Sequence, residues 1–107
     1  CCILNIITYE KRAAGVLRFD YLVEKKGFEI SILVAPGFQN LGIASHALAQ
    51  APILLSDWDL YAYINRLNKP SIKLFRRAGY QHTCDPGWHR LPKMTTNCSM
   101  TLKQEKK

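Results

Sequence analysis

The sequence lacks any long apolar run. Although 48% of its 107 residues are hydrophobic, no run approaches the ~20 apolar residues that a membrane-spanning helix needs. Its start also lacks the basic region and apolar stretch of a secretory signal. It does not begin with methionine, so we expect a fragment or a processed form. We therefore expect a single domain over residues 1–107 that is cytoplasmic and does not enter a membrane.

Cysteine is scarce and its spacing is uninformative. The chain has four cysteines and no C-x-x-C pair. Neighbouring cysteines at 1 and 2 do not pair readily. Cys84 and Cys98 could flank one loop, but the rest of the chain looks intracellular, so free thiols are the better expectation. His82, Cys84, Asp85 and His89 lie close in sequence, but their spacing matches no common zinc pattern, and we expect no metal.

Acidic residues are also few, since eight Asp and Glu stand against 15 Lys and Arg, giving a net charge of +7. This balance suits an anionic partner, but an excess of this size is at least as typical of a surface charge that only keeps the protein soluble. A nucleic-acid partner is disfavoured, because no strand interleaves aromatic with basic residues. The basic residues 103–107 are expected to form a solvated tail.

The stretch 28–50 predicts a buried strand, a tight loop and a helix. The β-branched run 30–34 ends at Pro36 and Gly37, which interrupt a strand. Asn40 is predicted to cap a helix that runs to about Gln50, and Pro52 helps to end it. The apolar face of that helix is predicted to contain Leu41, Ala44, Leu48 and Ala51.

The start of this helix has the properties of an anion site. Gly42 and Ala44 are small enough for a ligand to approach the free backbone N–H groups, and no acid lies between Pro36 and Gln50. The positive end of a helix then favours a phosphate. Taken alone, the same small residues are equally typical of a helix start that packs closely.

Two motifs together resemble a known family. The segment Gln39-Asn40-Leu41-Gly42-Ile43-Ala44 follows Val34-Ala35-Pro36 and resembles the pyrophosphate loop, (Q/R)-x-x-G-x-(G/A), of the GNAT superfamily of N-acetyltransferases. The segment 68–80, NKPSIKLFRRAGY, resembles the family's N-x-x-(A/S)-x-x-L-(Y/F)-x-x-x-G-(F/Y) helix. The motifs occur in the family's order, and the resemblance covers roughly residues 14–80.

The pattern of the whole chain predicts an α+β fold with a mixed, mostly antiparallel sheet and two main helices. Strands are predicted at 3–9, 15–23, 30–34, 57–64, 80–83 and 96–102, helices at 40–50 and 70–78, and a loop at 85–93. The strands flanking the first helix are expected to be parallel. The resemblance implies a GNAT-like fold that lacks its first strand and first two helices.

The resemblance also assigns a cofactor site for acetyl-CoA. It implies that the pyrophosphate lies against the backbone of the loop, that the pantetheine arm pairs with the end of the central strand, and that Asn68 reaches this arm, although Asn68 also suits a helix cap. Ser71 and Lys73 are implied to lie near the nucleotide end. The implied cofactor-binding residues are Leu33, Val34, Ala35, Gln39, Asn40, Leu41, Gly42, Ile43, Ala44, Asn68, Ser71 and Lys73.

Catalysis is less fully specified. Glu29 on the central strand matches the general base of some family members, although an exposed strand carboxylate is the alternative. Phe75 occupies the position of the tyrosine that usually acts as general acid in the family, and a phenylalanine cannot donate a proton. Tyr63, Tyr80 or water would then serve, or the thiolate would leave unassisted.

The implied function is an acetyl-CoA-dependent N-acetyltransferase that acts on a primary amine by direct attack in a ternary complex. The substitution at Phe75 and the absent elements favour an alternative, which is a non-catalytic acyl-CoA-binding or dimerising module. A homodimer would cover sheet surface that the absent elements leave exposed.

Overall fold

Three consecutive antiparallel strands form one side of the sheet in the computed structural model, which describes residues 2–93. They are β1 (Cys2–Tyr9), β2 (Arg12–Leu22) and β3 (Gly27–Val34). A two-residue turn joins β1 to β2, with positive φ at Glu10 (50°) and Lys11 (66°), which is the geometry that fits the twist of a hairpin. Both neighbouring pairs, β1–β2 and β2–β3, are antiparallel.

A helical crossover brings the next strand alongside β3. A short 3-10 turn at Pro36–Phe38 leads to α1 (Ile43–Leu54), and α1 leads to β4 (Asp59–Tyr63), which pairs with β3 in parallel as predicted. The chain then forms α2 (Lys69–Arg77), close to its predicted bounds. Asn68 caps α2, a proline follows in its first turn, and Gly79 takes a positive φ of 102° just after its end.

Two short strands complete the sheet. They are β5 (Gln81–His82) and β6 (Trp88–Leu91), and the sheet order is β1-β2-β3-β4-β6-β5. The prediction of a loop over 85–93 was therefore wrong, because Pro86, Gly87 and Pro92 bound a strand instead of excluding one. The predicted strand at 96–102 lies outside the described residues.

Both helices pack on one face of the sheet. The core joins Leu48 and Ala51 of α1 and Phe75 of α2 to buried residues of β2, β3 and β4, among them Phe19 and Leu60. The side chains that alternate with these core positions point to the opposite face, where Leu4, Ile6 and Leu33 are 61%, 63% and 69% exposed. We call this side the open face. The α+β class with a mixed, mostly antiparallel sheet is confirmed.

The bounds of α1 differ from the prediction at both ends. Gly42, not Asn40, is the N-cap, and Asn40 itself takes a left-handed conformation with φ 65°. Leu41 is therefore outside the helix and 49% exposed, so its predicted place on the apolar face was wrong. Pro52 lies inside the helix, and the last turn closes through the Leu55 N–H, which donates to the Ala51 carbonyl at 3.1 Å.

Two further observations concern residues 2–93 only. Cys2 and Cys84 are free and exposed, whereas Cys98, the proposed neighbour of Cys84, lies outside this range. Neither helix in the described range has the length and apolarity to cross a membrane.

Candidate active site

The strands β3 and β4 separate part-way along their length. They pair at Gly27–Asp59, Phe28–Leu60 and Glu29–Tyr61 and at no later position, although β3 continues to Val34 and β4 to Tyr63. Beyond Glu29, the edge of β3 that faces β4 therefore has no strand partner. This opening is the central geometric feature of the site.

The free backbone groups at the opening follow from strand alternation. The Ala35 N–H donates to the Ala14 carbonyl of the neighbouring chain segment at 2.7 Å, so Ala35 directs its backbone away from the opening. In an antiparallel ladder this direction alternates, so Leu33 also faces β2, whereas Ile30, Ile32 and Val34 face the opening. The assignment of Ala35 and Leu33 as N–H donors to the cofactor was therefore wrong, because both direct their N–H groups to β2. The Val34 N–H faces the opening, and its contact with a cofactor stays a prediction.

A groove of about 180 Å³ occupies the opening. Ile30 and Ile32 of β3 form one wall, and β4 together with the first turns of α2 forms the other. Asn68 and Ser71 supply the polar atoms of that second wall, and Phe75 its aromatic surface. The groove has both polar and apolar lining and is bordered on the β3 side by peptide groups without a strand partner, which suits an extended amide-containing chain.

A second depression, of about 230 Å³, surrounds the loop before α1. Val34 at the end of β3 lines it, together with Gln39, Asn40 and the first residues of α1. The N–H groups of Ile43, Ala44 and Ser45 meet no acceptor within residues 2–93, and no side chain caps the helix. The loop therefore ends in unsatisfied donors at the positive end of a helix, which is the arrangement that binds phosphate.

The loop contributes through backbone conformation. Gly42 has a φ of 77°, and a Cβ added there would meet no atom within 4 Å, so conformation rather than lack of space requires the glycine. The Gln39 side chain donates from Nε2 to the Val34 carbonyl at 3.3 Å and ties the loop to the end of β3. Leu41 points elsewhere and lines a separate cavity beside β1.

The three residues assigned to α2 divide into two groups. Asn68 accepts a hydrogen bond from the Ser71 N–H at 3.3 Å and so has the capping role that was the alternative. It also lines the groove, which leaves its amide NH₂ free for a ligand. Lys73 is exposed and lines neither the groove nor the loop depression, so the structure does not bring it to the site.

Glu29 stands at the last paired position before the strands separate. It is half-buried. Its cross-strand neighbour on β2 is Asp20, whose Oδ2 forms an ion pair with Nε of Arg18 at 2.8 Å. Burial raises the pKa of Glu29, Asp20 raises it further, and Arg18 partly opposes this shift. The carboxylate makes no ion pair within the described residues, so it is free to accept a proton.

The hydroxyl groups near the groove are unequal candidates for a proton donor. Phe75 is buried and lines the groove, with its ring edge-on to Tyr80 at 5.0 Å between centroids. The Tyr80 hydroxyl is buried without a partner in the described range, and burial raises its pKa, so it is a poor donor to the groove. Tyr63 lines the groove and is 59% exposed.

Sequence reasoning missed Ile30 and Ile32 as site residues. Both lie in the predicted strand. The available signal was their spacing of two and four residues from Val34, since such residues direct their backbone N–H groups to the same side of a strand. The loss of pairing with β4 left no signal in the local sequence, because it depends on where a distant strand diverges. Within residues 2–93, no three His, Cys, Asp or Glu side chains come together as a metal site.

Solved structures share this fold at low sequence identity. The ribosomal L7/L12 α-N-protein acetyltransferase RimL, solved with coenzyme A, gives a TM-score of 0.76 at 19% identity over 87% of this chain and 63% of its own. The microcin C7 self-immunity acetyltransferase MccE, solved with acetyl-CoA and AMP, gives 0.71 at 18% identity over 85% and 61%. An N-acetyltransferase from Staphylococcus aureus Mu50 gives 0.70 at 20% identity over 83% and 66%.

This chain therefore spans less than two thirds of each of these three structures. No curated protein matches it significantly by sequence. The sequence profile of the acetyltransferase (GNAT) family matches residues 1–80, which contain the loop, the groove and both motifs. On this match the chain belongs to the GNAT family of acetyltransferases.

Proposed function

We propose that the chain binds acetyl-CoA and transfers its acetyl group to a primary amine by direct attack in a ternary complex. The observation that carries the proposal is that two features lie along one strand. Val34 at the end of β3 lines the depression at the loop with unsatisfied N–H donors, and Ile30 and Ile32 earlier in β3 line the groove. A phosphate-binding end followed by a groove along a strand with unpaired peptide groups matches a long cofactor with a charged end and an amide-containing arm.

The residues present fit such a cofactor. In this proposal the N–H groups of Ile43 and Ala44 would hold the pyrophosphate, which the uncovered space at Gly42 would admit. The N–H groups of Ile32 and Val34 and the amide of Asn68 would hydrogen-bond the pantetheine arm. When bound, acetyl-CoA supplies a thioester whose carbonyl carbon takes the amine nitrogen as the C–S bond breaks and CoA thiolate leaves.

Glu29 is the proposed general base. An ammonium acceptor must lose a proton before it attacks. Glu29 lies at the inner end of the opening, its pKa is raised, and it forms no ion pair among residues 2–93. Tyr63, on the groove wall, is the proposed proton donor to the leaving thiolate.

The cofactor site is tested by calorimetric titration of acetyl-CoA into the wild-type chain and into Gly42→Gln and Gly42→Glu. Both variants place a side chain of equal size at the same positive φ, so they share strain and bulk and differ in charge. We expect micromolar binding by the wild type, weaker binding by Gly42→Gln, and a further loss in Gly42→Glu of about tenfold or more. Equal affinity in all three would place the cofactor elsewhere.

Activity is tested by following the CoA thiol released from acetyl-CoA as amines of different classes are supplied. Small amines, amino sugars and peptides with free amino groups form the panel, and matched N-acetylated compounds serve as controls. Release that depends on a free amine supports transfer. Binding of acetyl-CoA without release of CoA for any amine of the panel would contradict the proposed activity.

A second candidate function is a non-catalytic acyl-CoA-binding module. Phe75 favours it, because the residue fills the groove wall without a hydroxyl group. The variant Phe75→Tyr distinguishes the two candidates when its turnover is measured, with its affinity for acetyl-CoA as the control. An enzyme limited by its proton donor gains turnover at unchanged acetyl-CoA affinity, whereas a binding module gains none.

A further inference from the structure

The ring of Tyr63 rests against the loop between β5 and β6. Tyr63 lies on the open face, because it alternates with the core residues Ala62 and Ile64, and its cross-strand neighbour on β6 is Trp88. The two rings meet edge-on, with 5.4 Å between their centroids. Within residues 2–93 Trp88 is the one aromatic partner of Tyr63. The orientation of the Tyr63 ring at the groove therefore depends on where the loop holds Trp88.

Gly87 in the same loop fits directly against this ring. A Cβ added at Gly87 would stand 2.6 Å from the nearest carbon of the Tyr63 ring, which is closer than Cβ atoms come. Gly87 also has a φ of 83°, and its carbonyl accepts a hydrogen bond at 2.8 Å from the N–H of Ile64, the residue after Tyr63. The loop backbone is thus bonded to the chain beside Tyr63 and needs a residue without a side chain at this point.

Hydrogen bonds give the segment 83–88 a defined shape. The Asp85 N–H donates to the Thr83 hydroxyl at 3.1 Å, and the Trp88 N–H donates to the Asp85 carbonyl at 3.1 Å. The Thr83 N–H donates to the Trp88 carbonyl at 3.0 Å. These bonds close the segment into a turn, so Asp85 and Trp88 keep a fixed relation to each other.

Lys25 anchors this turn from the other part of the sheet. Its ammonium forms an ion pair with Asp85 at 3.2 Å and lies 5.0 Å from the centroid of the Trp88 ring and 5.3 Å from that of Tyr61. The Lys25 side chain is only 24% exposed, and a cation shielded from water is attracted more strongly to aromatic rings. Lys25 belongs to the turn between β2 and β3, so these contacts reach across β4 to the loop that holds Tyr63.

From these contacts we infer that the loop at 83–88 orients Tyr63 for proton transfer, with Gly87 and Trp88 as positioning residues and Lys25 as the anchor of the loop. The inference rests on the proposed function. In that reaction the Tyr63 Oη–H bond breaks as its proton passes to the sulfur of the departing CoA, and the phenolate regains a proton from water. A displacement of about 1 Å in a catalytic group can cost about 100-fold in rate, so residues that fix the ring act on turnover.

The first test compares Gly87→Ala with Gly79→Ala. Both substitutions place a Cβ at a positive φ, 83° and 102°, but the Cβ at Gly79 meets the end of the Leu91 side chain at 3.2 Å and not the Tyr63 ring. We expect Gly87→Ala to lower the kcat of amine-dependent CoA release about tenfold at unchanged acetyl-CoA affinity. Gly79→Ala is expected to keep the wild-type kcat.

A purely structural role is separated by repeating the substitution in Tyr63→Phe, which is itself expected to lower kcat at least about tenfold. If Gly87 acts through the Tyr63 hydroxyl, Gly87→Ala costs less than about twofold once that hydroxyl is gone. A loop that serves stability alone costs the same factor in both backgrounds. Trp88→Leu removes the aromatic contact without backbone strain and enters the same cycle if Gly87→Ala does not fold.

The anchor is tested without any need for activity. In Trp58→Phe, Trp88 is the remaining tryptophan, and quenching of its fluorescence by acrylamide reports how the loop is held. We expect Lys25→Met to raise the quenching constant and Lys25→Arg, which retains a cation, to keep it near the wild-type value. Lys26→Met is the matched control, since Lys26 is the next residue of the same turn and is exposed.

The possible failures are distinguishable. A wild-type chain that releases no CoA with any amine, or an unchanged kcat in Tyr63→Phe, would remove the proposed proton donor and the inference together. If Tyr63→Phe slows the enzyme but Gly87→Ala costs the same factor in both backgrounds, or if Lys25→Met leaves the quenching unchanged, then the inference alone is overturned and the proposed function stands.

Discussion

Glu29 is the residue whose environment bears most directly on catalysis. A base acts only when ionised, and burial and Asp20 raise the pKa of Glu29 above the ordinary value of about 4.3. We therefore expect kcat/KM to rise with pH through this raised pKa. Glu29→Gln is expected to remove that acidic limb and to lower kcat/KM about 100-fold. The pH profile of amine-dependent CoA release measures both effects.

Glu24→Gln is the matched control, since Glu24 lies in the exposed turn between β2 and β3. Asp20→Asn is the finer test. It removes the repelling carboxylate and frees Arg18 from its ion pair, and both changes favour ionised Glu29. The acidic limb is then expected to move to lower pH. An unchanged limb in both Glu29→Gln and Asp20→Asn would show that another group takes the proton.

Tyr80 carries a hydroxyl with no evident use. The group is buried, has no hydrogen-bond partner in residues 2–93, and its ring packs on Phe75. An unsatisfied buried hydroxyl costs about 1–3 kcal/mol, so we expect Tyr80→Phe to raise the free energy of unfolding by about 1 kcal/mol. Urea unfolding measures this change as a higher midpoint at unchanged m-value.

Tyr63→Phe is the control for this measurement, because the Tyr63 side chain is largely exposed and its hydroxyl is open to water. We expect its stability to stay within about 0.5 kcal/mol of the wild type. A loss of stability in Tyr80→Phe would mean that the hydroxyl has a partner in the native protein.

At the scale of elements, the N-cap residue of α2 combines two roles. Asn68 caps the helix through Oδ1, and its NH₂ group remains for the cofactor. Asn68→Asp keeps an acceptor at the helix start, so stability is expected to hold while acetyl-CoA affinity falls about tenfold. Asn68→Ala is expected to lose both, including about 1 kcal/mol of stability. Equal acetyl-CoA affinity in the wild type and Asn68→Asp would remove the amide from the cofactor site.

The strand β3 should show its alternation directly. Ile30, Ile32 and Val34 direct their N–H groups to the opening, whereas Ser31 and Leu33 bond to β2. We expect amide hydrogen exchange to be fast at the first three and slow at the other two, with acetyl-CoA protecting Ile32 and Val34. Protection that does not alternate along the strand would contradict the assigned geometry.

Elements with strong local patterns were predictable from sequence. The strand predicted at 15–23 lies largely within β2, and the helix predicted at 70–78 matches α2 to within one residue at each end. Predictions failed where distant contacts decide. Trp88–Leu91 forms a strand because it pairs with β4 and β5. The cofactor loop could be identified from its motif. Which N–H groups of β3 face the opening could not be, because that depends on the register of β3 against β2.

For the whole molecule, the groove divides the sheet into two parts that are weakly joined. Three residue pairs connect β3 to β4, whereas eight connect β2 to β3. Little backbone pairing joins β1–β3 to β4–β6, and the remaining contact between the two parts comes from the helices that pack across the division. A ligand that hydrogen-bonds to β3 on one wall and to Asn68 on the other would bridge the two parts.

Cofactor binding at this groove predicts a large thermal response. At 100-fold excess over its Kd, a ligand that binds only the native state stabilises it by about 2.7 kcal/mol, which for a domain near this size corresponds to at least about 10 °C in Tm. Scanning calorimetry of the wild type with acetyl-CoA measures the shift. Gly42→Glu at the same cofactor concentration should show almost none, and Gly42→Gln an intermediate one, because charge and not bulk separates them. If acetyl-CoA stabilises Gly42→Glu as much as the wild type, then it binds without the loop, and the bridging role of the groove fails with it.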